Sequence, residues 1–135
     1  MSRSTIANRR HLLFDKGLEL RDYNATAVAT TTSETAIEFA ADKQLAYKAV
    51  ILAGAYTGYA AGSAEWKISI EAATTVAGTY KEIGSCTADG TIKQFDIPLS
   101  GEWVEDLLPG ALYIRATATA IGAPDALTYG AFLAC

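Results

Sequence analysis

The sequence predicts an all-β protein: an eight-stranded jelly-roll β-sandwich behind an N-terminal arm, with one short helix. Three observations carry this. Apolar and polar residues alternate at period two through much of the chain, as in a strand with one buried and one wet face. About eight such stretches recur at fairly regular spacing with turn signals between them, the pattern of a sandwich or barrel. The chain has 135 residues, one domain by size, and eight strands in this size range fit a jelly roll.

Residues 1–24 differ from the rest. They hold Arg3, Arg9, Arg10 and the only histidine, His11, and show no alternation. Residues 8–20 offer a turn or two of helix, but Gly17 and sparse apolar positions make an isolated helix unstable. The segment is expected to be an arm that orders against a partner or against the domain's own edge. The sandwich is then expected over residues 25–135.

Within the sandwich, residues 25–32 are rich in Ala and Thr and read as an edge strand. Residues 35–39 place Ile37 and Phe39 on one face. Residues 46–56 are nearly continuous in apolar character, which predicts a strand buried on both faces. Gly54, Gly58 and Gly62 then make a flexible loop carrying Tyr56 and Tyr59. Residues 65–74 and 79–87 form a hairpin, with Trp66, Ile68, Ile70 and Ala72 opposed to Lys67, Ser69, Glu71 and Ala73. A turn at Asp89-Gly90 leads to residues 92–99, with Phe95, Ile97 and Leu99 inward and Gln94 and Asp96 outward. Ser100 is placed to cap a short helix over residues 101–108, which Pro109-Gly110 ends. Trp103 and Leu107 are four apart and would seat it on the sandwich. Residues 112–120 put Leu112, Ile114, Ala116 and Ala118 inward. Residues 127–135 close the domain with Leu127, Tyr129, Ala131 and Leu133 on one side.

Composition bounds the function. Half of the residues are hydrophobic, yet no run approaches the ~20 apolar residues of a membrane helix. No apolar segment of signal-peptide length follows the N-terminal arginines, so a protein made in the cytoplasm is expected, without a membrane partner. The net charge is -4, and an acidic body repels nucleic-acid phosphates. Cys86 and Cys135 form no CxxC pair and read as free thiols; a disulfide between them has no support.

Residues for chemistry are scarce. A lone histidine cannot make the metal site of a cupin-like jelly roll, nor does His11 have an organised Ser–His–Asp neighbourhood. Glu65 and Glu71 lie six residues apart on one strand, roughly 20 Å, too far for a glycosidase pair. Glu102, Glu105 and Asp106 read as a solvated helix face. No Gly-rich phosphate loop is present. Neither enzyme activity, cofactor nor metal is expected. Tyr56, Tyr59, Trp66 and Tyr80 raise an alternative, a carbohydrate-binding β-sandwich with a sugar-stacking row; the competing expectation is that Trp66 is core.

Three segments carry a family resemblance. The hairpin WKISIEAATTVAGTYKEIGS runs from Trp66 to Ser85. The closing segments are GALYIRATATA, from Gly110, and LTYGAFL, from Leu127. The opening has Leu13-Phe14-Asp15, then an Ala/Thr strand, then TTSETAIEF from Thr31. In this order they resemble the jelly-roll capsid cement (decoration) proteins of tailed bacteriophages, over residues 12–135. Glu38-Phe39 stands where Asp-Leu is typical of that family, and the helix at residues 101–108 has no firm counterpart. The resemblance implies a homotrimer on the outer surface of an icosahedral virion. There it bridges neighbouring major capsid protein subunits and stabilises the shell against internal DNA pressure. The capsid-binding arm would use Arg3, Arg9, Arg10, His11, Leu13 and Phe14, and Tyr56, Tyr59 and Trp103 would supply a subunit or partner surface.

Overall fold

The computed structural model describes residues 18–134. Among them nine strands and one helix follow in the order β1 (Glu19–Arg21), β2 (Thr32–Ser33), β3 (Ile37–Glu38), β4 (Tyr47–Ala53), β5 (Glu65–Ala73), β6 (Lys81–Ala88), β7 (Lys93–Leu99), α1 (Gly101–Leu107), β8 (Tyr113–Ile121) and β9 (Tyr129–Ala134). They form two antiparallel sheets. One has four strands in the order β1-β9-β4-β7. The other runs β2-β8-β5-β6, with β3 also paired to β8. The all-β sandwich expected from the alternation is present.

The longest ladder joins β5 to β8, from Glu65 opposite Ile121 to Ala73 opposite Tyr113. Period two explains it. Trp66, Ile68, Ile70 and Ala72 meet Ala120, Ala118, Ala116 and Ile114 across the ladder, and all but the half-buried Ala120 are fully buried. Trp66, Ile68 and Ile70 on β5 thus face alanines on β8, and Ala72 faces Ile114, so large side chains meet small ones across the ladder. From the other sheet, Tyr47, Ala49, Ile51, Ala53, Tyr129, Ala131 and Leu133 complete the core. Each Ile or Trp taken from water contributes about 1.5–3 kcal/mol. Trp66 is therefore core, and its indole N–H donates to the Asp125 carbonyl at 2.7 Å.

The helix forms where its cap predicts. Ser100 is the N-cap, and its hydroxyl accepts from the Trp103 amide at 3.2 Å. The Gly101 amide donates to the Gln44 carbonyl at 2.6 Å. A Cβ on Gly101 would sit 2.3 Å from that oxygen, so only glycine lets the helix start this close to the preceding loop. Val104 is the residue that seats the helix in the core. Trp103 lies instead across the sheet surface, donating its indole N–H to the Ile83 carbonyl at 3.1 Å.

Several expectations are corrected. The edge strand over residues 25–32 is reduced to a single bridge from Val28 to Leu127 and to Thr32, the first residue of β2, which pairs with Ala118. The Asp22 carboxylate accepts from the Asn24 amide and the Asp22 carbonyl from the Ala25 amide, so a turn starts there, and the small Ala and Thr side chains bury too little to hold a ladder. Among the described residues, strand structure is already present at Glu19, within the segment read as arm. Leu20 supplies the missing apolar anchor and is buried. β4 is fully buried on its inner face only; on its outer face Lys48 and Leu52 reach the surface. Leu112 precedes β8 and is exposed, because the strand starts one residue later at the rim.

Candidate functional site

The arm candidates Arg3, Arg9, Arg10, His11, Leu13 and Phe14 lie outside the described residues. What the structure shows is how β1, at the start of the described residues, is held. Arg21, at the end of β1, is buried. Its Nε donates to the Tyr129 carbonyl at 2.9 Å, one terminal nitrogen to Glu34 Oε2 at 2.9 Å and the other to the Thr26 carbonyl at 2.6 Å. The guanidinium also lies 4.6 Å from the centre of the Tyr129 ring. Burial, together with the Glu34 carboxylate, pushes the Tyr129 hydroxyl above the usual phenol range. One side chain therefore ties β1, the following loop, Glu34 and β9 together.

Beyond this clamp the chain turns, and Tyr23 crosses the outer face of the four-stranded sheet. It can do so because position 130 is glycine: a Cβ there would meet the Tyr23 Cβ at 3.0 Å and its backbone nitrogen at 3.1 Å. Tyr23, Leu52, Ala53, Ile92, Lys93 and Gln94 line a groove of about 330 Å³. Ile92 is 78% exposed at its lip. Ion pairs edge this face: Lys93 with Asp89 at 2.8 Å and Lys48 with Asp96 at 3.1 Å. Lys93 and Thr91 hold the Asp89 carboxyl well below the usual carboxylate range, and Gln94 and Lys48 lower that of Asp96.

A second apolar place lies beside the helix. Leu45 is 95% exposed and follows Gln44, whose carbonyl holds the start of α1; Trp103 is 51% exposed on α1. Pro98, Leu99, Ser100 and Trp103 line a shallow hollow there.

The expected partner surface of Tyr56, Tyr59 and Trp103 does not come together. Tyr56 is buried, and its hydroxyl donates to the Ala88 carbonyl and accepts from the Trp66 amide. Burial is the main cause raising its pKa. Tyr59 packs edge-on against it at 6.5 Å. Trp103 reaches Ile83, toward the other end of β6, roughly 16 Å along the strand. The same geometry removes the sugar-stacking row. Trp66 and Tyr56 are interior, and the Tyr80 ring is covered by the Arg115 guanidinium 3.8 Å from its centre. The loop with Gly54, Gly58 and Gly62 is pinned by Tyr56 and by a hydrogen bond from the Thr57 hydroxyl to Asp125.

The outer face of the five-stranded sheet is polar. Glu71 and Glu82 stand directly opposite each other, a repulsive placement relieved from both sides. Arg115 Nε pairs with Glu71 at 2.8 Å, and Lys67 pairs with Glu82 at 2.8 Å. Thr117 donates to Glu71, and Ser69 bridges to Glu82. The Lys67 hydrogen bond lowers the Glu82 pKa. The side left open by the sequence, with Lys67, Ser69 and Glu71, is thus a network closed on itself.

Among the described residues no group of three or more His, Cys, Asp or Glu is placed to hold a metal ion. Glu71 is committed to Arg115 and Glu65 accepts from the Gly62 amide, so the two do not share a cleft. Burial pushes the Cys86 thiol up to about 12, which keeps it protonated. None of the described helices is long and apolar enough to cross a membrane.

Arg21, Tyr23, Leu45, Leu52 and Ile92 were missing from the sequence-derived candidates. For Ile92 and Leu52 a signal exists: each shares parity with the outward Gln94 and Asp96, or with Lys48. Arg21 has none, because its partners lie 13 and 108 residues away. No family model matches the chain, and no curated protein matches it.

Proposed function

We propose that this chain is a structural capsid cement (decoration) protein. In this reading it binds the outside of an icosahedral phage head as a homotrimer, bridges neighbouring major capsid subunits and stabilises the shell against internal DNA pressure. One observation carries the reading most. Much of the described charged surface is satisfied within local ion pairs, while apolar side chains stand exposed at separate places, at Tyr23–Leu52–Ile92 and at Leu45–Trp103. A bridging protein needs separated adhesive places more than a reactive cleft. Each contact can be weak, because many copies act together on one shell.

The strand order supports the jelly-roll form of the sandwich. β2 and β3 lie on the same partner, β8, and count as one interrupted strand. Among the described strands the first then pairs with the last (β1 with β9), the second with the second-last (β2/β3 with β8), and the middle strands β5 and β6 with each other. Adding β4 with β7 gives a long antiparallel hairpin wrapped into two sheets. The resemblance of the opening, hairpin and closing segments to phage cement proteins points the same way.

The test is attachment. Purified protein is mixed with procapsids and with mature heads, and the bound fraction and the mass of the free protein are measured. A strictly monomeric protein that ignores both particles would sink the proposal. Deleting residues 1–12 is expected to weaken attachment more than folding, and equal loss of both would count against a binding arm.

A further inference from the structure

The carboxylates of α1 differ from those elsewhere on the described surface. Glu34, Glu71, Glu82, Asp89 and Asp96 each have an Arg or Lys nitrogen within 3.1 Å. Glu102, Glu105 and Asp106 are exposed and, among the described residues, have no ion pair. Lys81 reaches the helix but donates to the Leu107 carbonyl at 3.0 Å. Only Glu102, in the first turn, suits the helix dipole. Glu105 and Asp106 stand in the last turn, where the dipole is negative and no basic residue offsets it. Glu102 also lies three and four positions before them, so like charges face each other across one turn, a destabilising arrangement. These carboxylates flank the half-exposed Trp103, and Leu45 stands exposed where the preceding loop meets the start of the helix.

We propose that the outer face of α1 docks a basic protein partner, with an arginine of that partner laid on the Trp103 ring between the helix carboxylates and an apolar neighbour resting on Leu45. The fold contains this chemistry within itself. Arg115 covers the Tyr80 ring at 3.8 Å from its centre and pairs with Glu71 at 2.8 Å. The α1 face holds the aromatic ring and the carboxylates without the arginine. Asp106, three positions after Trp103, and Glu102, beside it, put carboxylates within reach of a cation on that ring. Trp103 is preset for the contact. Its indole N–H is held by the Ile83 carbonyl at 3.1 Å, so the ring is fixed before a partner arrives and little side-chain freedom is lost on binding. Arginine suits the place better than lysine, because its planar fork stacks on a ring and bonds a carboxylate at once.

Charge selects the class of partner. Residues 18–135 carry seven basic and fourteen acidic side chains, or -7. Of these bases, Arg21, Lys48, Lys67, Lys93 and Arg115 are already in ion pairs, which leaves Lys43 and Lys81. The described body of a second copy therefore offers little basic surface, and two α1 faces brought together would oppose carboxylate to carboxylate. Nucleic acid and anionic lipid are repelled in the same way. The inference rests on the reading of Leu45–Trp103 as an adhesive place and names what adheres there. It does not need that partner to be a capsid.

The test uses the full chain, isotope-labelled for NMR, and a blocked peptide probe, Gly-Leu-Arg-Gly-Arg, against a control in which both arginines are glutamates. The Trp103 indole N–H resonance is followed. The arginine peptide is expected to shift it saturably and the control is not, and the midpoint should rise about threefold between about 50 and about 300 mM NaCl. Glu102→Gln, Glu105→Gln and Asp106→Asn combined should weaken the arginine peptide about tenfold while leaving the thermal midpoint unchanged or higher. No shift at Trp103, an equal shift by the control, or an unaltered midpoint in the combined variant would overturn the proposal. So would a lower thermal midpoint, which would assign the carboxylates to the fold, or a changed mass of the free protein, which would assign the face to a second copy. Head attachment separates this inference from the shell reading. No peptide response from a protein that still binds heads overturns the inference alone, and a peptide response with heads ignored overturns the shell reading alone.

Discussion

Replacing Arg21 by methionine keeps the aliphatic stem and removes the charge and the donors. The Tyr129 and Thr26 carbonyls lose their guanidinium partners, and the Glu34 carboxylate loses its countercharge. An unsatisfied buried acceptor costs about 1–3 kcal/mol. The Arg21 side chain is 4% exposed and that of Glu34 19%, so water recovers part of the Glu34 loss but little of the rest. Breaking a buried pair typically costs about 3–5 kcal/mol, and the access at Glu34 places this one near the lower end, about 3–4 kcal/mol. With an unfolding entropy of about 2.1 cal/mol/K per residue, a chain of this length has about 0.28 kcal/mol/K, so Tm should fall by about 12 °C. Urea and thermal unfolding of R21M, E34Q and the double variant read it directly. The cycle should give a coupling of about 1.5 kcal/mol. A total loss below about 1 kcal/mol, the range of exposed ion pairs, would refute a buried clamp.

Other outcomes follow from single contacts. Ser100→Ala removes the acceptor for the Trp103 amide and should lower stability by about 1 kcal/mol, measured by urea unfolding. Cys86 should resist iodoacetamide at pH 8 in a Cys135→Ser background and react fully in denaturant, because burial holds its pKa up at about 12. The carboxyls of Glu82, Asp89 and Asp96 titrate below their unfolded values. Their stabilisation is therefore present above the unfolded values near 4 and is lost as pH falls through the folded ones, so the urea midpoint should drop on acidification below about pH 4. Added salt should shrink that drop, since these groups are exposed. Leu45→Asp should leave stability within about 0.5 kcal/mol, as surface changes do, while reducing the fraction bound to capsids.

Much of the fold was legible because strand alternation is local. Trp66, Ile68 and Ile70, or Tyr129, Ala131 and Leu133, announce their faces from spacing alone, and Ser100 announces the helix. The failures share a different cause. Glu19–Arg21 is only three residues long, too short to show a period, and is a strand because β9 offers it a ladder. Residues 25–32 have strand-like composition but find partners only at Val28, opposite Leu127, and at Thr32, opposite Ala118. Tyr56 and Trp103 read alike as surface aromatics, and only the long-range partners Ala88 and Ile83 decide that one is interior and the other half exposed. The exposed apolar places are illegible for the same reason: a strand's parity tells which way Leu52 points, but not what covers that face.

The place of β9 has a consequence for how the protein is made. The last described strand lies in the interior of its sheet, between β1 and β4. That sheet keeps a gap between β1 and β4 until residues 129–134 have been made, so its closure waits on the last of the described strands. Pairings this distant in sequence fold slowly, and a chain stopped short of residue 129 would leave β1 and β4 as unpaired edges. Truncated products would be aggregation-prone rather than merely shorter. The topology therefore admits to the folded pool only chains in which residues 129–134 are in place, a filter that operates before any assembly begins.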